Sequence, residues 1–219
     1  MKYAPLSPSE RARLLAAANE ARRASPGVRY PDWYLRKMHH LPDGYLSHRS
    51  AGLYEATIAR LYQSGVPSYV AKLAADAIAA FKPRSILELG IGPGFLLQAL
   101  EERGADIELT GVDLSPFMLD AAARRAESAS LVHADSAALE MEKSYDAVAA
   151  VHMVGHMPKL WAARTLQTAA RHLNPEGRLH VLGHSWHRLP HMSGPIRIAS
   201  SHRLLGGLLT HHVLVPTIE

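Results

Sequence analysis

Ile86-Leu87-Glu88-Leu89-Gly90-Ile91-Gly92-Pro93-Gly94-Phe95 sets the architecture of this chain, because an apolar run leads into a turn rich in glycine. The residues before Gly90 predict a buried strand, and those after Gly94 predict a helix. Glycine lets a backbone approach a ligand closely, since no side chain intervenes. Asp113 ends the next apolar run. A carboxylate there can accept hydrogen bonds from a ribose diol, so the two features predict a pocket for a nucleoside cofactor.

The spacing of the glycines separates the classes of cofactor. Dinucleotide-binding folds carry G-x-G-x-x-G, whereas Gly90, Gly92 and Gly94 follow G-x-G-x-G and Phe95 stands where the third glycine would be. This mismatch disfavours a nicotinamide or flavin cofactor. No Gly-Lys-Ser or Gly-Lys-Thr follows the turn, which excludes a P-loop.

The segment Glu88-Leu-Gly-Ile-Gly-Pro-Gly94 resembles motif I of the class I S-adenosylmethionine-dependent methyltransferases. Further matches follow in the family's order, over roughly residues 65 to 190. Asp113 matches the acidic residue that holds the ribose, and Ala134-Asp135-Ser136 resembles the loop whose aspartate contacts the adenine amine. Residues 145–151 are similar to the fourth strand, with His156-Met157-Pro158 after it, and residues 173–179 to the turn into the fifth.

The resemblance implies a Rossmann-like α/β fold, with a mostly parallel sheet and helices on both faces. It also implies S-adenosyl-L-methionine as cofactor and S-adenosyl-L-homocysteine as product. The residues expected to bind the cofactor are Glu88, Gly90, Gly92, Gly94, Asp113, Leu114, Asp135, Ser136 and Val151. For Asp135 alone, a turn residue or helix cap is the alternative interpretation.

Segments with a strand pattern alternate with segments with a helix pattern along the chain. This alternation predicts parallel strands joined by crossover helices. We expect strands near residues 85–89, 107–112, 130–133, 146–151 and 178–184, and helices near 94–103, 116–126, 136–140 and 158–172. Residues 1–64 are predicted to form a helical lid segment, with a first helix capped by Ser7, and residues 65–219 the methyltransferase domain. The C-terminal end is shortened. A helix is expected near 202–209 and a strand near 212–217, with one strand of the family's sheet missing or displaced. An exposed edge of this kind favours a homodimer or a covering segment.

The acceptor pocket is expected at the C-terminal ends of the strands, where open α/β sheets bind ligands. His152 and His156 flank the end of the fourth strand, and a neutral imidazole there can deprotonate an acceptor. His184, His187 and His191 follow the fifth strand; without a matching set of acidic or thiolate ligands we expect no metal site. Aromatic residues are concentrated in the lid and can wall a pocket or simply anchor it. Candidate substrate contacts are Tyr34, Tyr45, Arg49, Tyr54 and His184.

Composition bounds the remaining possibilities. The 219 residues and 47% hydrophobic content suffice for one sizeable core. There is no cysteine, so disulfides and thiolate chemistry are excluded. A net charge of +4 is spread along the chain without a dense basic run, which disfavours nucleic acid. Without a signal peptide or long apolar run, we expect no membrane span and a cytoplasmic location.

These observations predict methyl transfer to a small, partly apolar molecule, with the O, N or C acceptor atom left open. Several alternatives stay open: a lipid or nucleic-acid methyltransferase, a non-catalytic S-adenosylmethionine-binding protein, and an NAD(P)-dependent oxidoreductase. The segment Val151-His152-Met153-Val154 lacks the Pro-Pro motif of the N6-adenine methyltransferases, which disfavours that type.

Overall fold

The structure is a computed structural model that describes residues 7–35, 41–61, 66–104, 106–191, 194 and 196–217. Its sheet has seven strands: β1 Ser85–Leu89, β2 Glu108–Asp113, β3 Ser130–His133, β4 Tyr145–Val151, β5 Leu173–His184, β6 Ile196–Leu204 and β7 Leu209–Pro216. Their order is β3-β2-β1-β4-β5-β7-β6. The first five strands pair in parallel, and β7 is antiparallel to both β5 and β6. The predicted mostly parallel α/β sheet is confirmed.

The helices are α1 Pro8–Ala24, α2 His48–Leu61, α3 Val66–Ala79, α4 Phe95–Glu101, α5 Pro116–Ala123 and α6 Lys159–Arg171, with 3-10 helices at Val154–His156 and Leu205–Gly207. Ser7 caps α1 in a reciprocal capping box with Glu10, as predicted. The helix expected near 136–140 is wrong, because this segment is a turn. The Asp135 carboxylate accepts a hydrogen bond from the Ala137 N–H at 2.9 Å, and such local bonds compete with helix formation.

Two apolar cores lie on opposite faces of the sheet. Because side chains alternate along a strand, Ile86 faces the core shared with α3, α4 and α5, whereas Leu87 faces the core shared with α6. Both residues are fully buried. Helices therefore cover both faces, and the C-terminal ends of the parallel strands are left to form a site.

The C-terminal end differs from the prediction. Both closing strands are present as β6 and β7, so no strand is missing and the helix expected near 202–209 is wrong. Between β5 and β6, the described residues form no helix. Most side chains of β6 are exposed, which removes the apolar alternation by which a strand is recognised. A homodimer at this edge stays a prediction.

The described part of residues 1–64 packs over the ends of β2 and β3. Tyr30 and Tyr34 form a small core with Leu114, the residue that follows β2. The Ser115 hydroxyl donates a hydrogen bond to the Tyr45 carbonyl, and the Tyr30 hydroxyl lies 3.0 Å from His133 Nε2. Within the described ranges, no helix has the length and apolar character needed to cross a membrane.

Candidate cofactor and acceptor site

The glycine turn joins β1 to α4 and is tied to β2 by hydrogen bonds. The Val112 carbonyl accepts from the N–H groups of Gly90 and Ile91, at 2.7 and 3.1 Å. The N–H of Gly94 donates back to the Ile91 carbonyl at 3.0 Å. Gly90 and Gly92 have φ of +66° and +52°, a conformation that side chains disfavour. The sequence thus uses glycine where the backbone must turn sharply beside a ligand site.

The three glycines differ in what surrounds them. A Cβ at Gly90 would lie 2.7 Å from the Met153 side chain, and one at Gly94 would lie 3.0 Å from Ala122 of α5. A Cβ at Gly92 would meet nothing within 4 Å. Gly90 and Gly92 line the cavity described below, whereas Gly94 is a packing position between α4 and α5.

A cavity of about 400 Å³ opens at the C-terminal ends of β1, β2, β4 and β5. Eight of the nine residues predicted to bind the cofactor line it, and Gly94 is the exception. The cavity is also lined by both histidines predicted for catalysis, His152 and His156. Three tyrosines predicted for substrate contact line it as well: Tyr34, Tyr45 and Tyr54. His184 lines it too, whereas Arg49 is exposed on α2 and does not.

Asp113 connects the two sequence landmarks directly. Its Oδ2 accepts a hydrogen bond from the Gly92 N–H at 2.9 Å, and its Oδ1 accepts one from the Ser115 N–H at 2.8 Å. The side chain is buried, and burial raises the pKa of Asp113 to about 6, partly offset by these backbone hydrogen bonds. Since a carboxylate has about four acceptor positions, each oxygen keeps capacity for a ligand hydroxyl.

Glu88 is a second buried carboxyl beside Asp113. It is 3% exposed, and its Oε2 has no hydrogen-bond partner among the residues that the structure describes. Burial, and then the nearby Asp113 charge, raise the pKa of Glu88 well above its usual range. A buried acceptor without a partner costs free energy, so a donor or cation from a ligand would relieve it.

Asp135 and Ser136 lie in the loop after β3. Asp135 both closes the local turn through Ala137 and lines the cavity, so the two interpretations of this residue are compatible. Burial raises the pKa of the Asp135 carboxyl. Ser136 is buried beside it. Asp135 is thus the third carboxyl group that lines the cavity, after Glu88 and Asp113.

Aromatic rings of the N-terminal segment cover the cavity in a continuous chain. The ring centroids of Tyr34 and Tyr45 are 5.8 Å apart, and those of Tyr45 and Tyr54 are 5.7 Å apart in an edge-on arrangement. Trp33 continues the chain and contacts Trp161 of α6 at 6.2 Å. Tyr34 also belongs to the small core under this segment. These rings therefore anchor the segment and wall the cavity at the same time.

Imidazoles form the opposite end of the cavity. His152 follows β4 with φ of +52°, and its N–H donates to the Leu182 carbonyl of β5 at 2.7 Å. Its ring lies 5.0 Å from that of His184, and the rings of His156 and His187 are 5.8 Å apart. Burial lowers the pKa of His152 to about 4, with a smaller contribution from His184. His152 is therefore neutral near pH 7, with a nitrogen lone pair free to accept a hydrogen bond.

The charges in the cavity are segregated. Its carboxyl groups belong to Glu88, Asp113 and Asp135, at the ends of the first three strands. None of the described residues that line it is lysine or arginine. Across the described ranges, no group of three or more histidine, aspartate or glutamate side chains is placed to hold a metal ion.

Several lining residues were not among the predicted site residues. They are chiefly apolar or aromatic: Ile91, Phe95, Met118, Met153, Met157 and Trp186. His187 was noted in the sequence only as following the fifth strand, and it lines the cavity too. Position just after a strand end was the available signal for Met153 and Trp186, but their contact with the cavity depends on the paths of two loops.

The chain resembles known proteins both in sequence and in fold. Residues 86–177 match the family model described as a methyltransferase domain. The fold resembles a solved S-adenosylmethionine-dependent methyltransferase from Clostridium acetobutylicum, with a TM-score of 0.63, 10% identity, and coverage of 76% of this chain and 99% of that one. Residues 86–177 are therefore similar to a methyltransferase domain, and the sheet and the glycine turn have the fold that the sequence resemblance predicted.

Two curated relatives are similar over part of their length. The ubiquinone biosynthesis O-methyltransferase of Paracidovorax citrulli is 31% identical over 109 residues, which are 47% of this chain and 44% of the relative. The demethylmenaquinone methyltransferase of Thermotoga maritima is 26% identical over 124 residues, 56% of this chain and 53% of the relative. This chain thus spans about half the length of these two relatives.

Proposed function

We propose that this protein transfers a methyl group from S-adenosyl-L-methionine to a small, partly apolar molecule. The observation that carries the proposal is the hydrogen bond from the Gly92 N–H to Asp113, which sets the turn and the carboxylate against one cavity. The names of the two curated relatives, both methyltransferases, support it. The O, N or C acceptor atom is left open.

The cofactor half of the cavity fits a nucleoside bearing a positive charge. The open side of Gly92 would admit the ligand, and the Asp113 oxygens would accept hydrogen bonds from the ribose hydroxyls. Glu88, with its unpartnered Oε2, would face the cationic part of the cofactor. Asp135 and Ser136 would meet the adenine. Leu114 and Val151 supply apolar contact at the same strand ends.

The acceptor half is formed by the imidazoles. When bound, S-adenosyl-L-methionine supplies an activated methyl group whose transfer releases a neutral thioether. The chain's own task is then to hold the acceptor, exclude water and take up its proton where one is lost. We assign that uptake to His152 and His156 at the end of β4. The pKa of His152, lowered to about 4, keeps its ring unprotonated but makes it the weaker base, so His156 is the residue tested below.

Residues 1–64 are proposed to act as a lid over a catalytic domain of residues 65–219. Tyr34, Tyr45 and Tyr54 cover the cavity from this segment and would contact the cofactor or acceptor. Arg125 links lid to turn, because its guanidinium pairs with Glu55 of α2 at 2.8 Å and donates to the Pro93 carbonyl. These contacts hold the described part of α2 against the glycine turn.

Calorimetry tests the proposal. We expect S-adenosyl-L-homocysteine to bind and NAD not to bind, with Asp113→Asn weakening the first interaction strongly. Asp106→Asn is the matched control, because Asp106 is an exposed carboxylate just before β2 and away from the cavity. Binding of NAD in preference would favour an oxidoreductase, and binding of neither compound would favour a non-catalytic protein; both results contradict the proposal.

His156→Ala separates chemistry from binding. We expect this variant to lose turnover with a surveyed acceptor while its affinity for S-adenosyl-L-homocysteine changes little. Turnover equal to that of the unaltered protein would refute a proton-accepting role for His156.

A further inference from the structure

The short connection between β5 and β6 brings two rings into the acceptor half of the cavity. Trp186 stacks on His184 with ring centroids 4.2 Å apart and an interplanar angle of 8°. Both residues line the cavity, and Trp186 is 63% exposed. An indole this exposed retains apolar ring surface that a ligand could cover. The stacked pair therefore offers a flat wall that is present in the free protein.

A close contact between two loops places His187 beside this wall. A Cβ at Gly155, in the 3-10 helix after β4, would lie 1.9 Å from His187 Nδ1. Real Cβ atoms do not approach so closely, so the imidazole occupies space that only glycine leaves free. The His187 ring then lies 5.9 Å from both His184 and Trp186. The missing side chain of Gly155 thus leaves the space in which His187 reaches the cavity.

The chemistry of this end favours an uncharged ligand with a hydrogen-bonding group. Burial lowers the pKa of His184 and of His187, which favours the uncharged form of both rings near pH 7. His184 Nδ1 is buried without a hydrogen-bond partner among the described residues. No described lysine or arginine lines the cavity to neutralise an anion. A buried polar atom without a partner is costly, and a ligand hydroxyl would supply the missing bond.

We propose that the His184–Trp186 ring pair and His187 form the acceptor-recognition site, and that it takes a flat, uncharged aromatic compound bearing a hydroxyl group. The aromatic ring covers the stacked pair, and the hydroxyl bonds to an imidazole. Gly155 is a positioning residue that acts through His187. This inference rests on the proposed function, since it assigns the acceptor of the same cavity.

Three related vicinal diols test the class of ligand. Catechol, cyclohexane-1,2-diol and 3,4-dihydroxybenzoate are titrated by calorimetry into the protein saturated with S-adenosyl-L-homocysteine. We expect catechol to bind most tightly. Cyclohexane-1,2-diol has no aromatic ring to stack, and 3,4-dihydroxybenzoate brings a negative charge for which the cavity has no counter-ion among the described residues. Equal affinity for the diol, or tighter binding of the benzoate, would overturn the proposal.

Variants test the residues. Trp186→Leu and His187→Ala should each weaken catechol binding by roughly threefold to tenfold, the range expected for one lost ring contact or hydrogen bond. The affinity for S-adenosyl-L-homocysteine should not change. Thermal unfolding establishes that each variant is folded before its affinity is compared.

Gly155 is tested by a double-mutant cycle. Gly155→Ala should weaken catechol binding as much as His187→Ala, and the double variant should be no weaker than His187→Ala alone. Gly52→Ala is the control, since a Cβ at Gly52 meets nothing within 4 Å. Additive effects of the two substitutions would show that Gly155 does not act through His187.

The outcomes separate this inference from the proposed function. Normal binding of S-adenosyl-L-homocysteine without selective binding of catechol refutes the inference alone. If S-adenosyl-L-homocysteine does not bind, the proposed function fails, and the three probes are titrated into the free protein, where the ring pair is already formed. Preference for catechol there would still support the recognition site, and its absence would refute it.

Discussion

Acidification should weaken the binding of S-adenosyl-L-homocysteine, with Asp113 as the group responsible. The ligand's ribose hydroxyls need a carboxylate that accepts hydrogen bonds, and a protonated carboxyl is a poorer acceptor. Burial raises the pKa of Asp113 to about 6. The carboxyl is therefore ionised above about pH 6 and becomes protonated as the pH falls below it, so affinity is retained at higher pH and lost at lower pH.

The magnitude follows from that pKa. With a pKa of about 6, nearly all of the Asp113 carboxyl is ionised at about pH 7.5 and roughly a tenth at about pH 5. If only the ionised form binds, the Kd rises about tenfold, which corresponds to about 1.4 kcal/mol. Proton release should accompany binding near pH 5.5, because the ligand selects the ionised form.

The assay is calorimetry at three pH values in buffers of equal ionic strength but different ionisation enthalpy, which gives both the Kd and the number of protons released. Asp113→Asn, which cannot ionise, should bind weakly at every pH and with a flatter profile. Asp106→Asn should keep the profile of the unaltered protein. A Kd that does not change between about pH 7.5 and 5, or a slope that persists in Asp113→Asn, would refute the reasoning.

Three further predictions concern stability and the lid. Glu88→Gln should weaken ligand binding yet raise the melting temperature of the free protein, and the rise should grow with pH. The substitution removes a buried carboxyl whose pKa is raised and whose Oε2 has no partner in the described structure. A lower melting temperature would contradict this prediction. Arg125→Gln should increase hydrogen exchange in α2 more than Glu55→Gln does, since only the first also loses the contact with the turn; equal effects would show that the ion pair alone matters. The rings of His180 and His211 are stacked, and His180 Nδ1 lies 3.1 Å from His211 Nε2. Burial lowers the pKa values of these two histidines to about 3 and about 4. Folding stability should therefore fall as the pH drops below 6.5, because the unfolded chain takes up protons there and the folded protein does not. Replacing both by leucine should reduce that loss in melting temperature, and an unchanged loss would place its origin elsewhere.

The sequence was a good guide to the parallel part of the sheet and to the cofactor half of the site. Strand β1 and the turn are local features, and Asp113 lies at a strand end next to them in the sheet. Once parallel pairing was inferred, their proximity followed from topology. The hydrogen bond from Gly92 to Asp113 is a consequence of that pairing.

The sequence failed where exposure or rotation decides the outcome. Strand β6 presents mostly exposed side chains, so its pattern carries no apolar alternation. On α2, Arg49 and Tyr54 are five residues apart, which turns them by about 140° around the helix. They therefore do not face the same cavity, and the structure places only Tyr54 there.

The acceptor half was the least accessible to sequence reasoning. Gly155 and His187 come from different loops, and their contact depends on the path of the chain after β5. An isolated glycine and an isolated histidine give no sign of such a contact. The histidines after β4 could be proposed, because that strand end is fixed by the parallel sheet.

The hydrogen bonds of the glycine turn also predict how this turn would meet a phosphate group. The N–H groups of Gly90, Ile91, Gly92 and Gly94 already donate within the chain, and Pro93 has none. A phosphate-binding loop works in the opposite way, by leaving successive amides free to surround an anion. Here the Asp113 carboxylate lies against the turn, where a phosphate-binding loop would have free backbone N–H groups. We therefore expect the turn to disfavour pyrophosphate and to accept the proposed cofactor, a nucleoside that carries positive charge.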